Sequence, residues 1–110
     1  MSADILIVDD EADIRMLLSG ILEDEGYRVR TAHGDAEARR QVGLARPDLI
    51  FQDIWLQGST ADGIGLLEEY AQNIANTPVI MMSGHGTIET AVRAIKQGAY
   101  DFVEKPFNTD

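Results

Sequence analysis

Four short apolar runs divide the chain, and each stops abruptly on a polar residue. Ile5-Leu6-Ile7-Val8 stops at Asp9-Asp10, Leu49-Ile50-Phe51 leads to Asp53, Val79-Ile80-Met81-Met82 stops at Ser83, and Tyr100 to Glu104 stops at Lys105-Pro106. Runs this brief and continuous read as strands covered on both faces, as in a parallel sheet under helices. In such sheets ligands sit at the carboxyl ends of the strands. The four ends therefore converge on one polar site, and the two that finish on bare carboxylates point to cation and phosphoryl chemistry.

Helical patterns alternate with these runs. Ile14, Leu17, Leu18, Ile21 and Leu22 recur at helical spacing, with Gly26 as the stop. Arg28 to Thr31 reads as a short second strand, then a helix runs from Asp35, taken as its N-cap, to about Ala45, with Pro47 barring continuation. A Gly-, Ser- and Thr-rich loop from Gln57 to Gly63 leads to a third helix with Ile64, Leu67, Tyr70, Ala71 and Ile74 as its stripe. A fourth begins at a Thr87 cap, turns Ile88, Ala91, Val92 and Ile95 inward, and ends at Gly98. Met16 and Tyr70 read as packing residues, and Glu23-Asp24-Glu25 as a solvated helix end. Strands alternating with helices imply right-handed βαβ crossovers and a doubly wound α/β sheet of five parallel strands.

With 110 residues, 45% of them hydrophobic, the expectation is one domain spanning residues 1–110 that buries a core unaided. The absence of cysteine removes disulfide, zinc-thiolate and thiol chemistry and suits a reducing cytoplasm. No run approaches the roughly 18 apolar residues of a membrane span. A formal charge of -10 repels a phosphate backbone, so direct nucleic-acid binding by this domain is not expected. Strand five is followed by too few residues for a fifth helix. Four buried side chains of such a helix would contribute about 6–12 kcal/mol, comparable to a domain's net stability. The expectation is an N-terminal fragment of a longer protein.

Asp9, Asp10 and Asp53 at neighbouring strand ends repel one another, so their ionised forms call for a cation or raised pKa values. Magnesium, which keeps several waters and takes one or two carboxylates plus phosphate oxygens, suits an open three-acid site. Asp53 then serves as a nucleophile forming an aspartyl-phosphate, Lys105 supplies positive charge, and the Ser83 hydroxyl donates to a phosphoryl oxygen.

Val8-Asp9-Asp10-Glu11, the isolated Asp53, Ser83 and Lys105-Pro106-Phe107 together resemble the receiver domain of two-component response regulators over nearly the whole chain. The stretch from Ser83 to Val92 and on to Phe102 resembles the NtrC group, and Asp53-Ile54-Trp55-Leu56-Gln57-Gly58-Ser59 the NtrX type. The resemblance implies a flavodoxin-like fold with strand order 2-1-3-4-5 and the final helix missing from this chain. It implies Asp53 as phosphoacceptor; Mg2+ held by Asp10, Asp53 and the Trp55 backbone carbonyl, with Asp9 acting through water; Ser83 and Phe102 as switch residues; and Lys105 as the phosphate-binding lysine. It also implies a cis peptide before Pro106, a sensor histidine kinase as donor, and AAA+ and DNA-binding output domains elsewhere in the full-length protein. Helix four, with apolar Ile88 and Ala91 beside charged Glu89, Arg93 and Lys96, suits a partner or a homodimer at the helix-four and strand-five face. Bulk at Trp55 and His85, which flank the route of hydrolytic water in receivers, implies a long-lived phosphoryl group. In this loop Gln57 stands where the family commonly has Pro, and Asp62-Gly63 falls about two residues late.

Plainer readings exist for each residue singly. Two aspartates before a helix also suit its cap and dipole, Lys105 a solvated cation, Ser83 a turn hydroxyl, Phe102 static core and His85 a loop side chain. Two other functions use the same acids: an Asp-nucleophile Mg2+ phosphatase or phosphotransferase, and a receiver-like dimerisation module that is never phosphorylated. The first usually needs an acid two residues past the nucleophile, where Trp55 stands; the second would lack an acid or the lysine, and none is lacking. The expectation is thus a self-phosphorylating switch rather than an enzyme acting on other substrates.

Overall fold

The computed structural model describes residues 3–54, 62–84 and 88–105. In chain order the elements are β1 (Asp4–Val8), α1 (Ala12–Asp24), β2 (Arg28–Ala32), α2 (Asp35–Leu44), β3 (Leu49–Asp53), α3 (Gly63–Asn73), β4 (Val79–Ser83), α4 (Ile88–Lys96) and β5 (Asp101–Glu104). All pairings are parallel, and the sheet runs β2-β1-β3-β4-β5. The chain steps outward from β1 to β2, then reverses and proceeds through β3, β4 and β5. Right-handed crossovers accordingly place α1 on one face of the sheet and α2, α3 and α4 on the other. The reversal falls between β1 and β3, which makes their carboxyl ends the topological switch point.

The main core lies under α2, α3 and α4. Register sets Ala32, Val8, Gln52, Met81 and Phe102 side by side across the five strands, with Leu6, Ile50 and Val79 in a second row. Ala38 of α2, Ile64, Leu66, Leu67 and Tyr70 of α3, and Ala94 of α4 close over them. Two helices end on glycines in the left-handed region, Gly26 (φ 93°) and Gly98 (φ 111°), where the backbone turns back to bond the last turn.

Several side chains lie elsewhere than the periodicity suggests. Asp35 is the first residue of α2 rather than its cap; Gly34 occupies that place, and the Asp35 carboxylate pairs with Arg39 at 3.0 Å. In α3 the inward stripe includes Leu66, and Ala71 is exposed, a rotation of the helix that follows from seating Ile64, Leu67 and Tyr70 against β3. In α4 the buried residue is Ala94, with Ala91 half-buried, while Val92 and Ile95 are exposed. A small residue at the contact lets the helix backbone approach the sheet and turns its larger neighbours outward. Thr87 and the Ile88 side chain lie outside the described residues. On the opposite face α1 buries Ile14 but leaves Met16 (74%), Leu17 and Ile21 exposed, so Met16 is no packing residue. The cause is position: α1 covers β1 and β2, and among the described residues no second helix shares its face.

α2 and α3 are also joined across their outer surface. Arg39 donates Nε and Nη2 to the two carboxylate oxygens of Glu69 at 2.9 and 2.8 Å and Nη1 to Asp35 at 3.0 Å, a planar fork that fixes direction as well as distance.

Candidate functional site

The carboxyl ends of β1 and β3 adjoin in the sheet, so the residues that finish them meet. Asp53 closes β3 with 2% of its surface exposed, Asp9 follows β1 with none, and Asp10 beside it is half-buried. Each of the three offers an oxygen, and these atoms lie within 4.8 Å of one another. The capping interpretation is not met: Glu11 holds the cap position of α1 without a side-chain cap bond, and Asp9 Oδ1 accepts instead from the Glu11 backbone N–H at 2.8 Å, a turn ahead of the helix. Its Oδ2 is buried and takes no hydrogen bond among the described residues.

Lys105 enters from the end of β5, tethered by its backbone N–H to the Ser83 carbonyl at 2.8 Å. Its ammonium lies 3.2 Å from Asp53 Oδ2, 3.0 Å from Asp9 Oδ2 and 2.7 Å from Glu11 Oε1. Ser83 is buried at the end of β4, one residue past Met82, the register partner of Asp53. Phe102 is partly buried and packs against the main core. The structure thus brings together Asp9, Asp10, Asp53 and Lys105, with Ser83 on the adjoining strand. Trp55, His85 and Pro106, with the peptide bond before it, lie outside the described residues, as does most of the loop between Gln57 and Gly63.

Burial governs the charges here. It pushes the Asp53 carboxyl up to about 7, with the nearby Asp9 charge adding to the rise and Lys105 restraining it. Burial raises Asp9 as well, against its backbone bond from Glu11 and its contacts with Lys105. Burial works against the Lys105 ammonium, but the bonds to Glu11 and Asp9 and the charges of Asp53 and Asp9 outweigh it, so its pKa is raised. One ammonium does not offset four carboxylates. With Lys105 as a cationic neighbour in direct contact, the clustered acids form a donor set that fits a hard divalent cation bound through oxygen.

Two participants carry no assigned role in the sequence pattern. Glu11 makes the shortest contact to Lys105, and Arg15 Nη1 donates to the Asp9 carbonyl at 2.8 Å. The third consecutive acid was the available signal for Glu11; nothing local distinguishes Arg15 from a surface helix residue.

The junction of β3 and α3 fixes the Asp53 backbone. Asp62 caps α3 through Oδ1, accepting from Gly65 N–H at 2.8 Å, and Gly63 N–H donates to the Ile54 carbonyl at 2.7 Å. A methyl group on Gly63 would overlap the Asp53 carbonyl oxygen and come within 2.7 Å of Ile54 Cα.

The response regulator receiver domain family matches residues 5–110. The chain is 60% identical to the nitrogen assimilation regulatory protein NtrX of Azorhizobium caulinodans over 110 residues, all of this chain and 24% of that protein. It therefore spans about a quarter of the length of that curated relative. The crystal structure of the receiver domain of NtrX from Brucella abortus is 57% identical and superposes with a TM-score of 0.90 over 94% of this chain and 87% of the other. The solution structure of the beryllofluoride-activated NtrC4 receiver domain dimer is 41% identical, with a TM-score of 0.87 over 94% of this chain and 84% of that one.

Proposed function

The chain belongs to the response regulator receiver domain family, of NtrX and NtrC type, and on that premise we propose that it is a two-component switch that takes a phosphoryl group onto Asp53. One observation carries this reading: a buried carboxylate at a strand end, with an ammonium 3.2 Å from one oxygen and two further aspartates beside it. In the transfer, an Asp53 oxygen forms the new O–P bond as the N–P bond to the donor kinase's histidine breaks, and the imidazole nitrogen regains the electron pair. Lys105 neutralises charge gathering on the phosphoryl oxygens. The Ser83 hydroxyl donates to one of them, and Phe102 follows Ser83 as the β4 and β5 ends rearrange.

Asp10 and Asp53, the Trp55 carbonyl and, through water, Asp9 would hold Mg2+, which when bound offsets phosphoryl charge as a Lewis acid. Without it the clustered acids repel the incoming phosphate. The chain's own residues orient the reacting oxygen and exclude water from it.

Phosphorylation alters the α4 and β5 surface, through which two copies pair and the AAA+ and DNA-binding domains of a full-length regulator are controlled. The NtrC4 receiver dimer supports the pairing. No helix of the described residues is long and apolar enough to cross a membrane, in keeping with action in the cytoplasm beside a sensor histidine kinase.

Incubation with acetyl phosphate and Mg2+, read by intact mass, tests the reading. One phosphoryl adduct is expected, absent in Asp53→Ala. No adduct on the parent, or an adduct that survives in Asp53→Ala, overturns it.

A further inference from the structure

Of the five residues side by side across the sheet, Ala32, Val8, Gln52, Met81 and Phe102, Gln52 is the polar exception. It is wholly buried, between Val8 and Met81, where a primary amide costs stability unless each of its ends is bonded. Both ends are. Oε1 accepts from the Tyr70 hydroxyl at 2.7 Å, and Nε2 donates to the backbone carbonyl of Asp53 at 3.0 Å. Burial, aided by the Glu69 charge, raises the pKa of Tyr70, so its hydroxyl stays protonated as the donor.

The peptide joining Asp53 to Ile54 is consequently held at both ends. Its carbonyl takes the Gln52 amide, and its N–H donates to the Met82 carbonyl at 3.0 Å. The next carbonyl, of Ile54, takes the Gly63 N–H at 2.7 Å. This fixes the orientation of the peptide plane beyond the Asp53 Cα, and so the direction from which the carboxylate leaves the backbone. An apolar side chain at position 52 would fill the same space at lower desolvation cost but remove the side-chain donor to that carbonyl, leaving the peptide held from its N–H end alone.

We propose that Gln52 is a positioning residue for phosphoryl acceptance, aiming the Asp53 carboxylate through its carbonyl and tying that aim to α3 through Tyr70. The proposal rests on Asp53 being the acceptor. Reactivity is sensitive to such aim, since about 1 Å of misplacement costs about a hundredfold in rate.

The test compares the parent, Gln52→Met and Tyr70→Phe. Each is checked for folding by circular dichroism and urea denaturation, and phosphoryl uptake from acetyl phosphate is then timed by intact mass at saturating Mg2+ without denaturant. Gln52→Met is expected to slow uptake about tenfold, and Tyr70→Phe, which frees the amide but keeps it, about threefold. A merely structural amide would lower the urea midpoint in both and leave the uptake rate of the folded protein alone. Parent-like uptake, within about twofold, in whichever variants fold overturns the proposal. If Gln52→Met does not fold, Tyr70→Phe decides by the same criterion. A parent that forms no adduct refutes the acceptor reading itself and the proposal with it, an outcome distinct from an adduct formed equally fast by all three.

Discussion

Replacing Asp53 with asparagine should make the metal-free protein more stable, and more so at higher pH. The folded carboxyl sits at about 7 against the ordinary 3.8 of an aspartate, so between those limits the folded chain keeps a proton that the unfolded chain has released. Stability of the parent then falls as pH rises through that window. A span of about three pH units at about 1.36 kcal/mol each amounts to roughly 4 kcal/mol by neutral pH. Asparagine removes that penalty and keeps the shape. The attraction of Lys105 for the ionised carboxylate already restrains that rise, so it is not counted a second time, and in the variant the ammonium keeps Asp9 and Glu11. Urea denaturation in EDTA at pH 5.5 and pH 8 reads the linkage. At pH 5.5 the folded parent holds Asp53 protonated, and the proton-linked gain of the variant grows from there by about 2 kcal/mol, at about 1.36 kcal/mol per pH unit up to 7. A stability difference that does not change between pH 5.5 and 8, or one that moves in favour of the parent, would refute the view that burial and charge crowding set the ionisation of Asp53.

Excess Mg2+ should raise the parent's urea midpoint, by about 2.7 kcal/mol at a hundred times the dissociation constant, and do so weakly in Asp53→Asn; equal shifts in both would place the cation elsewhere. Gly63→Ala should cost about 1–3 kcal/mol in the same assay, because the new methyl meets Asp53 and Ile54 backbone atoms, and a neutral result would show that α3 steps back freely. Trp55→Asn and His85→Ala, made separately in phosphorylated protein, should each shorten the lifetime of the phosphoryl group; lifetimes equal to the parent's would sink the steric shield.

The sheet was legible because its information is local. β1, β3 and β4 are largely apolar runs, and the polar residue that ends each marks the position of the site; β5, expected to be covered in the same way, is mostly exposed at the sheet edge, with Tyr100 before it 75% exposed. Helix faces were less so. In α4, Val92 and Ile95 look inward on hydrophobicity, yet Ala94 makes the contact, because the distance between helix and sheet decides which size of side chain fits and that distance is a property of the assembled layers. Asp35 looks like a cap by residue type, but Gly34 has the extended backbone that the position requires. Glu11 and Gln52 matter through partners 94 and 18 residues away, Lys105 and Tyr70, and no local pattern announces such a pairing.

The Arg39 fork between α2 and α3 has a mechanical side. It braces two of the three helices on one face into a single stiff plate, with Tyr70 and Gln52 bolting that plate to β3. α4 has one alanine as its buried foothold among its described side chains and exposes Val92 and Ile95. Load applied at the strand ends will be borne rigidly by the plate and taken up as displacement by the compliant neighbour, as expected of an element with little buried contact. The layer therefore works as a lever with a fixed side and a yielding side.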